Sequence, residues 1–429
     1  MPTASPDPTQ LEAEGYRLLG QDDLASAAQV FAAAINGNGG LGKSWHGLGV
    51  ALLGLGRADS FLNVAHQADQ LFESEVAYGV NVLLDLVSRN DGYAVLESIL
   101  NQFPSNNPVT ALAIYHAGCG AMQRGDKDTA FEHFLMFRKA VLENSKLYPV
   151  DQDRNMNIMF RQAYLIEPPK VVGELESISP DSIYEYAPDL NFSNAPFRPD
   201  APDGPVFLSC CNGIYFDHFA DALAASVVKH CGDVILHLHV AEPGEDLVDR
   251  IEHLRAIHPA LKLNVSTESE TAFSGNVYFA CNRFLLVQDF IDFYESGVTI
   301  LDVDGTFNTD PMPLIEAAKG SDVACFNSGR TEPASVYQAA YVTVQANDAA
   351  MRFTSLLRRF ILSKLHEPPG LSWMLDQAAL FSVFYYLQSD SRSFRLLELN
   401  KGTGYGYGDF IDTYDDEAGK LELMRQATV

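Results

Sequence analysis

The stretch VTILDVDGTFNTDPMPL, from Val298 to Leu314, decides the fold of the second half of the chain. It begins with an uncharged run of β-branched and apolar residues, which is typical of a strand covered on both faces of a sheet. Two carboxylates, Asp302 and Asp304, follow where this strand should leave the sheet. In open α/β sheets, ligands bind at the carboxyl ends of the strands. The stretch therefore predicts an acidic site at the edge of an α/β sheet.

The residues before this stretch alternate between strand and helix patterns. The predicted strands are residues 206–210, 233–240 and 261–268, and the predicted helices are residues 216–230, 247–257 and 282–294. This alternation predicts a mostly parallel sheet with helices on both faces.

The N-terminal part of the chain has a repeating helical pattern. One copy, within residues 44–71, places Trp45, Leu48, Gly49 and Leu52 on a first helix and Phe61, Ala65 and Ala68 on a second. A shift of 34 residues towards the N-terminus gives the equivalent positions Gly15, Leu18, Ala27, Phe31 and Ala34. The pattern resembles tetratricopeptide repeats, about four of them, with a plain helical bundle as the alternative. Such repeats must stack to bury their surface, and they offer a groove for a protein partner or mediate self-association.

Composition shifts divide the chain into four predicted segments. Residues 1–10 form a polar tail, 11–142 the helical repeats, 143–204 a helical and proline-rich connector, and 205–429 the α/β domain. The last boundary is placed at Pro205, where the stretch FRPDAPDGP ends. Proline fits neither a helix interior nor a central strand.

The net charge limits the class of binding partner, and the cysteine pattern indicates the cellular compartment. The chain has 29 basic and 56 acidic side chains, a net charge of −27, which argues against nucleic acid or an anionic membrane as a partner. Its six cysteines form no CxxC pair, so we expect reduced, buried thiols in a cytoplasmic protein. No signal peptide and no apolar run long enough for a membrane span is expected.

Four segments of residues 205–429 together resemble the GT-A glycosyltransferases of the bacterial nucleotide-diphospho-sugar type. They are FLSCCNGIYFDHFADALAASV from residue 207, VYFACNRFLLVQDFI from residue 277, the DxD stretch with Asp310 and Pro311, and GLSWMLDQAALFSVFYYL from residue 370. The resemblance implies a Rossmann-like GT-A domain. It also implies transfer of a sugar from a nucleotide-diphosphate donor, with a UDP-sugar expected, to a protein or saccharide acceptor.

The resemblance implies a Mn²⁺ or Mg²⁺ ion at the two aspartates. Such hard cations prefer carboxylate and phosphate oxygens together. Asp304 would bind the ion, and Asp302 would bind it through water or hold the donor's ribose. The family often supplies a third ligand, a His near the C-terminus, which this chain lacks. Asp415 or Asp416 is the candidate substitute, and Lys420 could meet the diphosphate.

Four further residues are candidates for donor and acceptor contacts. Arg283 could bind the nucleotide or diphosphate, or it could form a structural salt bridge. Tyr215 could stack on the base or pack at the top of its helix. Asp376 and Gln377 match the family's pair beside sugar and acceptor, with Asp376 as the group that orients the acceptor hydroxyl or takes its proton. The alternative for Asp376 is a helix N-cap.

Two other functions compete with the transferase. The sequence DVDGTF also resembles the first motif of haloacid-dehalogenase-type phosphatases, in which Asp302 would be the nucleophile, and CFNSGR at residues 325–330 resembles their second motif. The other reading is a catalytically inactive scaffold that joins the repeats to the transferase-like domain. The long series of strands before Asp302 and the Asp-Gln segment favour the transferase.

Overall fold

The computed structural model describes much of the chain in two compact units, Met1–Tyr164 and Leu165–Val429. The described residues are 7–38, 42–55, 57, 60, 108–143, 165–178, 190–193, 195–200, 204–269, 271, 273, 275–330, 333–365, 374–390, 394–404 and 406–413.

The described part of the first unit is helical. Its helices are α1 (Pro8–Leu19), α2 (Leu24–Asn38), α3 (Gly42–Gly54), α4 (Pro108–Gln123) and α5 (Lys127–Glu143). Helices α1, α2 and α3 pack against one another, and α4 packs against α5.

The pairs α1–α2 and α4–α5 are built in the same way. A Cβ atom at Gly15 would lie 2.6 Å from the ring of Phe31, and one at Gly118 would lie 2.6 Å from the ring of Phe134. Each glycine therefore lets the phenylalanine of the partner helix sit against its backbone. In both pairs an aspartate accepts a hydrogen bond from a backbone N–H three residues on, which caps the second helix.

The described helices test only part of the repeat prediction. Trp45, Leu48 and Leu52 are buried on α3, as the pattern predicted. Phe61, Ala65 and Ala68, on the predicted second helix of this copy, lie outside the described residues. The tetratricopeptide assignment therefore stays a prediction.

The second unit is built on an eight-stranded sheet with the order β1-β4-β3-β2-β5-β8-β7-β9. Its strands are β1 (Asn191–Phe192), β2 (Val206–Asn212), β3 (Ile235–Ala241), β4 (Lys262–Glu268), β5 (Val298–Leu301), β7 (Val323–Asn327), β8 (Tyr337–Val344) and β9 (Leu396–Glu398). Strands β4, β3, β2 and β5 run parallel, and β8 runs antiparallel to both β5 and β7. Two short strands, β6 (Gly305–Phe307) and β10 (Ile411–Thr413), form a separate antiparallel pair.

Helices connect these strands. They are α6 (Pro169–Ser177), α7 (Gly213–His230), α8 (Leu247–Ile257), α9 (Asn276–Tyr294), α10 (Met312–Ala318), α11 (Pro333–Val336), α12 (Asp348–Lys364), α13 (Leu375–Ser389) and α14 (Leu399–Thr403). Among the described residues, no helix is both long and apolar enough to cross a membrane.

The two faces of the sheet differ in polarity. Towards α7 and α8, strands β3 and β4 present apolar side chains such as Leu236 and Val265. Towards α9, the same strands present His237, His239 and Ser266, all fully buried. Because side chains alternate between faces along a strand, the spacing of these residues fixes which face each one occupies.

The predicted mostly parallel sheet with flanking helices is confirmed. Strands β2 to β5 and helices α7 to α9 lie where the alternating pattern placed them, although α9 begins at Asn276, earlier than expected. The antiparallel strand β8 was not predicted. Its run of buried apolar and aromatic residues lies between β5 and β7, and that position depends on long-range pairing.

The second compact unit begins at Leu165, well before the boundary predicted at Pro205. Helix α6, within the predicted connector, packs against α12 and α13. A buried ion pair joins Lys364 Nζ to Glu167 Oε1 at 2.6 Å, and Arg352 pairs with Glu176. These contacts make residues 165–178 part of the α/β unit.

Candidate functional site

A cavity of about 260 Å³ opens at the carboxyl ends of β2 and β5. Its walls come from the end of β2, the first turns of α7, α9 and α13, and the turn after β5. The lining residues are Cys210, Cys211, Asn212, Tyr215, Asn276, Val277, Phe279, Ala280, Cys281, Arg283, Asp302, Val303, Asp304, Met374, Leu375, Asp376 and Gln377. Six of the predicted site residues therefore meet in one place, at the end of the sheet where α/β folds bind ligands.

The turn after β5 places Asp302 and Asp304 at the cavity. The Asp302 N–H donates to the Ala340 carbonyl at 3.3 Å, and the Gly305 N–H donates to the Asp302 carbonyl at 3.1 Å. Val303 between them is buried, and all three residues line the cavity. Strand β6 then pairs with β10 and holds the far side of the turn.

Arg283 joins two walls of the cavity. Its Nη1 lies 2.7 Å from Asp302 Oδ1, and its Nη2 lies 3.1 Å from Asp376 Oδ2. The residue is only 6% exposed. Although burial alone would lower the pKa of this guanidinium, the two carboxylates hold it above its ordinary value. The salt bridge considered from the sequence is present, and it links two of the predicted site residues.

Asp376 lies in the first turn of α13, but it is not the N-cap. The N-cap is Met374, which makes no side-chain capping bond, so the capping alternative for Asp376 is wrong. Its Oδ1 accepts the Gln377 N–H at 2.9 Å. Burial raises the pKa of the Asp376 carboxyl, while Arg283 opposes that shift. The structure therefore holds a carboxyl that gains a proton more readily than an aspartate in water.

Met374 has a backbone conformation that is rare for a residue with a side chain. Its φ of 67° and ψ of 23° lie in the left-handed region. Such positions cost about 1 kcal/mol or more and cluster at binding sites. Gln377 is anchored to the same residue, because its Nε2 lies 3.7 Å from Met374 Sδ. The strained turn thus helps to set the orientation of the Asp-Gln pair.

Tyr215 satisfies both descriptions that the sequence allowed. Asn212 caps α7 by accepting the Tyr215 N–H at 2.9 Å. The Tyr215 ring packs 5.2 Å from the ring of Phe219, yet the residue is 41% exposed and lines the cavity. It therefore offers an aromatic surface at the mouth of the cavity. Sequence reasoning missed Asn212, although an Asn between a strand and a helix is a recognisable capping signal.

The cysteines at the cavity are neutral thiols. All six cysteines are free and buried, which confirms the prediction of reduced thiols. Burial raises the pKa of Cys210, Cys211 and Cys281, the three that line the cavity. Because the thiolate is the reactive and metal-binding form, these side chains serve as apolar lining at neutral pH.

The cavity is acidic, and two of the predicted site residues lie outside the described part of the chain. Its charged lining side chains are Asp302, Asp304, Asp376 and Arg283. Within the described ranges, no group of three His, Cys, Asp or Glu side chains has a geometry that would hold a metal ion. The predicted third ligand Asp416, its alternative Asp415, and Lys420 lie outside the described residues.

Comparisons with known proteins give only distant likenesses. No family model and no curated protein matches the chain. Among solved structures, the apo WbbM bifunctional glycosyltransferase is 14% identical, with a TM-score of 0.32 over 55% of this chain and 46% of that chain. The glycosyltransferase GlyE of Streptococcus pneumoniae TIGR4 is 16% identical, with a TM-score of 0.37 over 53% of this chain and 60% of that chain. Its apo form gives 12% and 0.31 over the same shares. This chain spans less than two thirds of each, and the scores are too low to assign a fold or an activity.

Proposed function

We propose that this chain is a glycosyltransferase that moves a sugar from a nucleotide-diphosphate donor, expected to be a UDP-sugar, with the help of Mn²⁺ or Mg²⁺. One observation carries the proposal: Asp302, Asp304 and Asp376 converge on one cavity at the carboxyl ends of parallel strands, with Arg283 between two of them. The four segments that resemble GT-A enzymes support it, because they contribute most of the cavity lining.

The charge of the cavity supports the need for a divalent cation. Its lining carries three carboxylates and one guanidinium, so it repels a diphosphate by itself. The carboxylate oxygens of Asp302 and Asp304 fit such an ion, since Mg²⁺ often uses one or two carboxylates together with substrate phosphates. When bound, the ion would act as a Lewis acid that stabilises the departing nucleoside diphosphate.

The end of β10 supports a role for the C-terminal segment in this site. Thr413 on β10 is paired with Gly305 on β6, immediately after Asp304. The chain then continues to Asp416. An extended chain spans roughly 3.5 Å per residue, so Asp416 is close enough along the chain to reach the turn. We therefore keep Asp416 as the proposed third ligand and Lys420 as the proposed partner of the diphosphate.

The remaining residues have proposed roles on the donor and acceptor sides. Tyr215 would stack on the nucleotide base at the cavity mouth. Gln377 would position the sugar or the acceptor. Asp376 would orient the acceptor hydroxyl or accept its proton, and a raised pKa brings a carboxyl closer to that task. Because Arg283 already pairs with Asp302 and Asp376, its proposed contact with the donor would add to those pairs.

The helical unit would present the acceptor. A repeat array suits a protein acceptor because it offers an extended groove, and self-association is the other use of such an array. A saccharide acceptor would make no demand on that unit. The cytoplasmic location also stays a prediction.

The phosphatase has less support from the geometry. Strand β7, which precedes the SGR sequence, is separated from β5 by the antiparallel β8. Neighbouring strands lie about 4.8 Å apart, so the two proposed phosphatase motifs are roughly 10 Å apart across the sheet. Ser328 Oγ donates to the Ser335 carbonyl and does not line the cavity.

A thermal-shift titration with UDP and UDP-sugars, with and without Mn²⁺, tests the proposal. We expect Mn²⁺ and the best ligand together to raise Tm on the order of 5 °C, because a ligand at 100 times its Kd adds about 2.7 kcal/mol. Asp304→Ala should abolish this shift. Asp376→Asn should keep the shift but lose sugar transfer.

The control is Asp249→Asn, which removes an exposed carboxylate on α8 outside the cavity. It should behave like the wild type. A shift that survives Asp304→Ala would overturn the metal assignment. Phosphate release from p-nitrophenyl phosphate that Asp302→Asn abolishes would favour the phosphatase. The absence of any nucleotide binding with Mn²⁺ present would favour the scaffold.

A further inference from the structure

A buried carboxylate lies behind the cavity, on the polar face of the sheet. Glu268 is the last residue of β4 and is almost completely buried. Its two carboxylate oxygens accept from the Tyr278 hydroxyl at 3.0 and 2.8 Å. Its Oε2 also accepts from Asn282 Nδ2 at 3.4 Å. Both donors belong to α9, so one acidic side chain binds two successive turns of that helix.

The cost of this arrangement requires an explanation. A buried carboxylate is expensive, and replacing buried polar contacts by apolar packing is often neutral or stabilising. On its other side, His239 Nε2 lies 3.6 Å from Glu268 Oε2, which is longer than a hydrogen bond. The opposite face of the same strands packs mainly with apolar side chains. Stability by itself therefore does not call for Glu268.

The helix that Glu268 holds also provides one wall of the cavity. Asn282 directly precedes Arg283, and Tyr278 is one turn earlier on the same helix. Arg283 projects from α9 to Asp302 on the strand side and to Asp376 on the α13 side. Each residue of an α-helix points in a fixed direction about the helix axis, so a rotation of α9 would change the position of Arg283 relative to both partners. Contacts at Tyr278 and Asn282 restrict that rotation close to Arg283.

We propose that Glu268 is a positioning residue: through Tyr278 and Asn282 it fixes α9 so that Arg283 bridges Asp302 and Asp376. Its benefit to catalysis rests on the proposed function, since it assumes that the bridged carboxylates serve donor and acceptor. The bridge itself does not depend on that function. Glu268 makes no contact with the substrate in this scheme and acts only through Arg283.

Two tyrosines of α9 give a matched pair of variants. Tyr278→Phe removes the hydroxyl that donates to Glu268. Tyr294→Phe removes an equally buried hydroxyl at the far end of the helix, where it accepts from Asn264 Nδ2 at 2.8 Å and shares a hydrogen bond of 2.6 Å with His237 Nδ1. Each variant loses one buried hydrogen-bonding group, so their effects on stability should be similar. Glu268→Gln keeps the shape of the side chain and gives a second test of the same contacts.

The first readout is the ¹H–¹⁵N resonance of Arg283 Nε in the full chain, assigned with Arg283→Lys. We expect Tyr278→Phe and Glu268→Gln to shift or broaden this resonance, and Tyr294→Phe to leave it in place. The measurement needs no ligand. It therefore decides the inference even if UDP with Mn²⁺ fails to bind the wild type, which would count against the proposed function alone.

The second readout is the Kd of UDP in the presence of Mn²⁺, by calorimetry. Tyr278→Phe should weaken binding about tenfold and Tyr294→Phe less than about twofold, and Tyr278→Phe should add less than about twofold in the Arg283→Lys background. The inference is overturned if the losses from Tyr278→Phe and Arg283→Lys multiply. It is also overturned if both tyrosine variants move the Arg283 resonance equally, or if neither does.

Discussion

Asp302 and Asp376 both pair with the Arg283 guanidinium, but their environments differ. The side chain of Asp302 is 27% exposed, whereas that of Asp376 is 10% exposed. Asp302 follows a strand, while Asp376 lies in the first turn of a helix and has a raised pKa because it is buried. The difference suggests a division of labour. Under the proposed function, the more hydrated carboxylate would bind the cation, and the more buried one would exchange a proton with the acceptor.

The cavity wall that carries Asp302 and the wall that carries Asp376 are also held in place by different contacts. Asp302 is fixed by backbone hydrogen bonds within the sheet, including its own N–H to Ala340. Helix α13, which carries Asp376, is held in place by contacts with α6. The Tyr386 hydroxyl donates to Glu176 Oε2 at 2.8 Å, and a Cβ at Gly173 would lie only 3.0 Å from the Tyr386 ring. The Asp376 wall should therefore be the easier one to disturb.

The largest expected effect comes from removing that support. We expect a fragment of residues 165–429 to unfold cooperatively and a fragment of residues 205–429 to be insoluble or to melt without a clear transition. The shorter fragment lacks α6 and leaves Lys364 buried without Glu167, and breaking a buried pair costs about 3–5 kcal/mol. Circular dichroism melts of both fragments provide the measurement.

A control for this experiment keeps α6 and removes only one contact. In the 165–429 fragment, Glu176→Gln should lower Tm by a few degrees, because it weakens the pair with Arg352 without exposing α13. Equal Tm values for the two fragments would show that α6 is dispensable, contrary to the contacts described above.

A smaller effect is expected when the shared partner is removed. Arg283→Ala leaves Asp302 and Asp376 facing each other without the guanidinium. Breaking a buried ion pair costs about 3–5 kcal/mol, and the partial hydration of Asp302 should hold the loss near 3 kcal/mol. The free energy of unfolding from urea titrations measures this loss. Arg283→Lys, which keeps the charge, should lose less than half as much, and equal losses would contradict a role for the ion pairs.

The smallest expected effect is on the pH dependence of the free energy of unfolding, and it concerns Asp376. Because the pKa of Asp376 is raised in the folded state, that state binds a proton more tightly than the unfolded chain does. The burial penalty on its charge is absent below about pH 3.8 and grows as pH rises through the folded pKa. The free energy of unfolding of Asp376→Asn should thus gain on the wild type between pH 4 and pH 7.

Asp302→Asn is the comparison for this titration. Its side chain is more exposed than that of Asp376, and both variants lose one carboxylate that pairs with Arg283. Urea unfolding of the three proteins at pH 4, 5, 6 and 7 provides the measurement. A flat difference between Asp376→Asn and the wild type would show that burial does not perturb this carboxyl.

The sequence predicted the part of the fold that depends on local pattern. The strands and helices between residues 206 and 301 follow from runs of apolar residues and their period. The acidic site was predictable because ligands of α/β sheets bind at the carboxyl ends of the strands, and Asp302 and Asp304 follow β5. The DxD stretch was found in this way, whereas the Asp-Gln segment was found only by its resemblance to the GT-A enzymes.

Features set by long-range pairing were not predictable. The insertion of β8 between β5 and β7 depends on pairing that no local pattern encodes. The bridge from Arg283 to Asp302 and Asp376 joins three distant segments, and an Arg in an apolar helix was the only local signal of it. The assignment of residues 165–178 to a connector overlooked buried partners that come from α12 and α13.

Because β6 pairs with β10, this pair of strands can form only after the C-terminal strand has been synthesised. Residues 305–307, just after the DxD turn, bond to residues 411–413. That partner strand is synthesised roughly one hundred residues later, so the contact is strongly non-local. A nascent chain that has not reached Ile411 already contains both carboxylates but lacks the strand that secures their turn. Translation itself would thus delay the completion of this turn until residues 411–413 have been made.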